Sequence, residues 1–351
     1  MLPRMYAQMP EEEACNRSHA AKAAFGPDLV ILAHHYQRDS IVQFGDFVGD
    51  SLELSQRVAD VRDARYIVFC GVDFMAETAA MLCGPNQTVL IPARTARCPM
   101  AAMATRQQAA VAWNSLASVW GADITPVTYQ NSYADLKAFC GERGGAVCTS
   151  ANAQKVLRWA FSQRGHVLFF PDEHLGRNTA LALGIPASQI KVWDPDNPAP
   201  DDMHDAAVVV WKGFCNVHTR FTTEHVDAIR QEYPDAKVVV HPECLAEVVA
   251  RADANGSTSF ILRYVNNLPA GATVAIGTEV HLVERLAKQN PDKKVVPLAR
   301  SQCAAMYRIA PQNLAYTLDQ LAQGQLVNPV RVSQEIRQWA NQALERMLAL
   351  A

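Results

Sequence analysis

The chain has 351 residues, 49% of them hydrophobic, with a formal net charge of −3 and a pI near 6.4. That is ample for a large core, and at about 150 residues per domain it points to two or three domains. There is no basic tract to hold nucleic acid or an anionic membrane, no apolar run long enough to span a bilayer, and no apolar signal core in the acidic MLPRMYAQMPEEEACN, so a cytoplasmic chain with neither as partner is expected.

In chain order, short β-branched runs alternate with longer amphipathic stretches. The strand candidates are 29–36, 65–71, 88–93, 124–129, 145–150, 166–172, 190–194, 206–211, 237–242, 272–278 and 293–299. Their near-continuous apolar character is that of parallel strands covered on both faces. Helical patterns lie between them, as in TRQQAAVAWNSLASVW, SANAQKVLRWAFSQ, TTEHVDAIRQEY and ECLAEVVARAD, several opening on a Ser or Thr suited to an N-cap. The Pro-rich 195–205 reads as a surface loop, and the tail carries two stretches with helical spacing, 311–325 and 332–350. The alternation is that of an α/β protein.

Ligand sites in open α/β sheets gather at the carboxyl ends of strands. Those ends carry His34 and Tyr36, Cys98, Tyr129 and Asn131, Ser150, Asp172 and His174, Cys215 and His218, His241 and Glu243, and Cys303. Singly, each has a plain reading: His34 as a satisfied interior histidine, Tyr129 as a wedge, Asp172 as a helix cap. As a series they favour function. Three helix starts rich in Ser or Thr, at Ser51, Ser150 and Ser257–Thr258, offer backbone N–H groups to carboxylates or a phosphate. His-Pro-Glu at 241–243 joins an imidazole and a carboxylate fit for acid–base work.

Nine cysteines are scattered along the chain. Three of them, Cys98, Cys215 and Cys303, each sit alone in a polar turn after a set of strands. Three thiolates can hold three irons of a cubane [4Fe–4S] cluster and leave the fourth open to substrate as a Lewis acid. Three unrelated buried cysteines would read the same way in sequence.

The segments LAHHYQ, GDSLELS, CGVDFMAETA, CPMA, TYQNS, CTSANA, FPDEHLGRNTA, GFCNVH, HPEC and GSTSFI occur in this order. With them the chain resembles the quinolinate synthetase A family over roughly residues 28–349. The resemblance implies three similar three-layer αβα domains with pseudo-threefold symmetry around a central active site. Their expected bounds are 1–100 (with an N-terminal extension, 1–27, that has no assigned role), 101–216 and 217–303. C-terminal helices in 304–351 are expected to pack back on the first domain. It implies one [4Fe–4S] cluster on Cys98, Cys215 and Cys303, with Cys244 a non-ligand.

The implied reaction condenses iminoaspartate with dihydroxyacetone phosphate to quinolinate, losing phosphate and water, in bacterial NAD biosynthesis. His34, Ser51, Tyr129, Asn131, Ser150, His241, Glu243 and Thr258 match substrate-binding positions, and Ser257 adjoins them. Glu243 is the candidate acid/base, with His34, Tyr36 and His241 as further catalytic candidates. A functional link to an L-aspartate-oxidising enzyme follows from the substrate. The extra length between Cys98 and Cys215 is expected in 139–148 and in the 195–205 loop. The competing readings are a zinc hydrolase or aldolase and a non-catalytic iron–sulfur sensor or carrier. The first is disfavoured by the absence of local Cys-x-x-Cys or HExxH pairs.

Overall fold

The computed structural model describes residues 2–351. The chain is α/β and builds three parallel sheets, each flanked by helices. The described residues up to Cys98, together with Gln302–Val332, form one compact unit; Pro99–Ser301 with Ser333–Ala351 form the other.

The first unit opens with α1 (Arg4–Ala7) and α2 (Glu11–Phe25). Then follow β1 (Leu29–His34), α3 (Asp39–Val42), β2 (Phe47–Gly49), α4 (Ser51–Asp60), β3 (Tyr66–Cys70), α5 (Asp73–Leu82) and β4 (Thr88–Leu90). The sheet order is β2-β1-β3-β4. The N-terminal extension packs on the later helix of this unit (Pro311–Ala322, α14 below). The Tyr6 hydroxyl donates to Asp319 Oδ2 at 2.8 Å, Gln312 Nε2 donates to the Met9 carbonyl at 3.0 Å, and the Tyr6 and Tyr316 rings lie 5.0 Å apart.

The second unit runs through α6 (Arg106–Trp120), β5 (Ile124–Tyr129), α7 (Ala134–Glu142), β6 (Ala146–Cys148), α8 (Ala153–Gln163), β7 (His166–Phe170), α9 (Glu173–Ala182), β8 (Ile190–Trp193) and β9 (Val208–Trp211). It continues with α10 (Thr223–Glu232), β10 (Lys237–Val240), α11 (Ala246–Arg251), β11 (Ala254–Asn255), α12 (Thr258–Asn267), β12 (Thr273–Gly277), α13 (Val280–Gln289) and β13 (Lys294–Pro297). The last two helices of the chain are α14 (Pro311–Ala322) and α15 (Gln334–Ala349). The sheets of this unit run β6-β5-β7-β9-β8 and β11-β10-β12-β13. The middle sheet is the largest, and the Pro-rich stretch after Trp193 carries the chain from edge strand β8 back to β9; a short 3₁₀ turn, Pro200–Met203, lies within it.

Every long apolar run forms a strand. The two strands not predicted, β2 and β11, are edge strands too short to show a period. Thr105 caps α6 in a reciprocal capping box with Gln108, a device worth about 1 kcal/mol. One expectation is corrected. The resemblance puts both tail helices on the first domain, yet α15 lies along α7 and β6 of the middle sheet. Gly141 permits this: a Cβ there would sit 1.9 Å from the Trp339 carbonyl oxygen, so no other residue allows the two helices so close. Arg346 completes the contact by donating to the Gly145 carbonyl at 2.6 Å.

Candidate active site

In the second unit, the carboxyl ends of the middle and last sheets face each other. β5 ends on Tyr129, with Asn131 in the turn that follows; Ser150 precedes α8; Asp172 follows β7; Cys215 and His218 follow β9; His241 and Glu243 follow β10. The loops are fastened across the sheets. Asn178 Nδ2 donates to the Pro242 and Cys244 carbonyls at 2.9 and 2.8 Å, and Ser301 Oγ donates to the Val217 carbonyl at 2.7 Å. Gly213, ahead of Cys215, lies so close to the turn before α9 that a Cβ would meet the Pro171 oxygen at 2.1 Å.

The centre of this arrangement is Glu243, 2% exposed. His218 Nδ1 lies 2.5 Å from its Oε2, the closest approach of the two side chains. His218 Nε2 sits 3.1 Å from Thr278 Oγ1. The His241 ring stacks on His218 with centroids 4.3 Å apart, and its Nε2 lies 3.2 Å from Ser150 Oγ. Its Nδ1 is 3.4 Å from Glu243 Oε2.

The charges follow from these contacts. Burial alone would push the Glu243 carboxyl up. The His218 and His241 rings, with hydrogen bonds from His218 and Tyr129, outweigh it and hold the group at about 2, so it is an anion at neutral pH. Burial, then His218 beside it, pushes His241 down to about 3, which keeps that ring neutral. Asp172 goes the other way. Burial first, then the nearby Glu243 charge, raise it well above the carboxylate range. The two buried carboxyls are thus shifted in opposite directions, Asp172 up and Glu243 down. Asp172 also caps α9, its Oδ1 accepting from the Leu175 N–H at 2.6 Å.

Asn131 Oδ1 is buried and has no hydrogen-bond partner among the described residues, an acceptor suited to a ligand donor. Ser257 caps α12 through the Phe260 N–H at 3.2 Å, and Thr258 is the first residue of that helix, 3% exposed. Ser150, Asn178 and Ser257 line one cleft of about 580 Å³, with Lys155 and Arg263 on its wall.

The first unit brings together a smaller set. The Tyr36 N–H donates to His34 Nδ1 at 3.1 Å, so the neutral His34 ring carries its proton on Nε2. The two rings meet edge to face at 4.6 Å. The next residues tie this turn to the loop of Cys303. Arg38 donates to the Tyr307 carbonyl at 2.5 Å with its guanidinium 3.8 Å from the Tyr307 ring centroid, and the Tyr307 N–H donates to the Cys303 carbonyl at 3.0 Å. The Cys98 N–H donates to Asp73 Oδ1 at 3.1 Å, and Arg97 pairs with the same carboxylate at 3.5 Å. Ser51 opens α4, but the N–H groups of Leu52 and Glu53 are already taken by Asp50, which caps the helix. That helix start therefore holds its own carboxylate, and what Ser51 has to offer a ligand is its hydroxyl.

The cysteines divide by environment. Cys98, Cys215 and Cys303 are partly exposed, whereas Cys70, Cys83, Cys140, Cys148 and Cys244 are buried. Burial raises the Cys70 thiol to about 12 and lifts Cys140, Cys148 and Cys244 as well, so those sulfurs stay protonated and inert. Cys15, the other partly exposed cysteine, lies on α2 and is also raised by burial. The three lone turn cysteines thus fit the role of soft metal ligands. Cys215 Sγ also lies within 4.8 Å of a His218 nitrogen and a Glu243 oxygen, which lie as close to each other.

His218 and Asp172 stand out in the sequence as polar strand ends, but no motif there ties either to Glu243. Thr278 and Lys137 had no such signal, although a lysine among Leu136, Phe139 and Cys140 on an apolar helix is itself anomalous.

Comparison with known proteins agrees over nearly the whole chain. The family described as quinolinate synthetase A protein matches residues 18–349. A quinolinate synthase of Acidobacterium capsulatum is 47% identical over 98% of this chain and 95% of its own length. One of Corynebacterium glutamicum is 46% identical over 100% of this chain and 91% of its own. One of Halalkalibacterium halodurans is 46% identical over 99% and 96%.

Proposed function

The chain belongs to the quinolinate synthetase A family, and from that premise we propose that it condenses iminoaspartate with dihydroxyacetone phosphate to quinolinate, releasing phosphate and two waters. The observation that carries this reading is Glu243, a fully buried carboxyl held down to about 2, first by His218, with a hydrogen bond from Tyr129, beside partly exposed Cys215. Cys98, Cys215 and Cys303 would hold a [4Fe–4S] cluster. When bound, it supplies an iron without a protein ligand, a Lewis acid for a substrate oxygen.

The protein's own groups do the rest. Glu243 accepts a proton from a substrate carbon beside the imine or carbonyl and returns it to a hydroxyl that leaves as water. His218 holds that carboxylate in place through Nδ1. Tyr129 donates its hydroxyl proton to the same carboxylate. His34 offers its Nε2–H, and Tyr36 its hydroxyl, to substrate oxygens. His241, Ser150, Ser51, Ser257 and Thr258 supply neutral hydrogen bonds for carboxylates and phosphate, and Asn131 Oδ1 accepts from a substrate donor. Burial excludes water from Glu243, which strengthens each of these contacts. Iminoaspartate would come from an L-aspartate-oxidising enzyme, and the reaction belongs in the cytoplasm. No helix among the described residues is long and apolar enough to cross a membrane.

A mononuclear zinc centre is the second reading, favoured by the proximity of Cys215, His218 and Glu243. One experiment separates the two: anaerobic purification with iron, sulfide and zinc analysis, and a quinolinate assay, for wild type and Cys98→Ser. The wild type should hold about four irons per chain and make quinolinate, and the variant should lose both. Stoichiometric zinc in place of iron, or a variant with full cluster and full activity, overturns the iron–sulfur reading.

A further inference from the structure

Lys137 is the only fully buried lysine among the described residues, and none of the chemistry above uses it. It lies on α7, one turn beyond the loop that leaves β5. Its Nζ donates to the Gln130 carbonyl at 2.8 Å and to the Ser132 carbonyl. These two carbonyls flank Asn131. Ser132 Oγ donates to the carbonyl of Tyr129 at 2.8 Å, and the Gln130 N–H donates to the Cys148 carbonyl at 2.8 Å. Each residue from Tyr129 to Ser132 except Asn131 therefore has a backbone group held by an inward-facing donor or acceptor.

A buried amine is costly unless its donors are taken. The single Nζ of Lys137 carries more than one N–H and takes both carbonyls at once. The turn is thus locked on either side of Asn131, whose buried side-chain oxygen has no partner among the described residues. We propose that Lys137 is a positioning residue: by pinning the carbonyls on both sides of Asn131 it aims Asn131 at the substrate and keeps Tyr129 on Glu243. This rests on the reading of Asn131 and Tyr129 as substrate-binding residues.

The test compares Lys137→Met, Lys137→Gln and Lys137→Arg with Phe139→Leu, a core change on the same helix. Purified anaerobically, each is measured for melting temperature, iron content, quinolinate affinity, KM and kcat. Expected for Lys137→Met is a cooperative melt and unchanged iron, with KM and the quinolinate dissociation constant raised about 10- to 100-fold, the scale of a misplacement near 1 Å. Lys137→Gln, with one donor group for the turn, should recover part of the loss. Phe139→Leu should lower the melting temperature and leave KM and quinolinate affinity unchanged. If Lys137→Met melts lower but binds and turns over as wild type does, the positioning role is wrong. Failure of all three lysine variants to fold would assign the residue to the core alone and equally overturn it. A wild type that makes no quinolinate sinks the underlying reading instead, and the two failures are therefore distinguishable.

Discussion

The two halves of the candidate chemistry are built differently. The Glu243 group is buried and cross-linked, with carboxylate, two imidazoles, a phenol and two hydroxyls in mutual contact before any ligand arrives. The His34 group is local: a turn stiffened by its own backbone, with Tyr36 partly exposed and the Cys303 loop tied to it through Arg38. A preformed network costs little reorganisation during reaction, which suits the proton-moving role proposed for Glu243. A short, partly exposed turn suits residues that meet a substrate as it arrives.

That contrast can be broken by mutation. Glu243→Gln removes the charge but keeps the shape. It should lower kcat by about a thousandfold, within the 10²–10⁴ range for acid–base groups, while iron content stays at the wild-type level. Normal turnover would take Glu243 out of the proton-moving role and level the two regions. Tyr36→Phe removes one hydroxyl from a turn whose backbone bond to His34 persists. A loss of about tenfold to a hundredfold in kcat/KM is expected, the worth of one hydrogen bond to a charged group, with no change in melting temperature. A marked drop in stability would mean that this turn is as interlocked as the other.

The smallest effect sharpens the assignment of charge. Folding raises the Asp172 carboxyl well above the 3.8 it has when unfolded. A raised folded value means stability is fully present below the unfolded one and fades as pH rises toward the folded one. Asp172→Asn retains an oxygen for the Leu175 N–H and has no proton to lose. Its melting temperature should therefore gain on wild type as pH rises from about 5 to about 8. Parallel curves for the two proteins would show that Asp172 is ionised like an ordinary cap.

Much of this was readable in advance. Eleven strand runs and the main helices follow from apolar period and caps, because those signals are local. The polar strand ends picked out Tyr129, Ser150, His241 and Glu243 for the same reason. Ser51 misled in part: Gly-Asp-Ser before a helix reads as an open anion site, and only the structure shows Asp50 already there. The second tail helix was placed wrongly because its apolar stripe says that it must pack, not on what; the missing side chain of Gly141 decides that.

By itself the sequence determined the α/β alternation, the set of lone turn cysteines and the family, all of which are properties of residue type and order. Tertiary structure alone decided that His218 takes Glu243 as its partner, that burial shifts Asp172 up while Glu243 is held down, and that Lys137 holds the turn of Asn131. Each depends on which charges share a dry interior and how far apart they lie. Groups distant in the chain set those distances, and no local pattern records them.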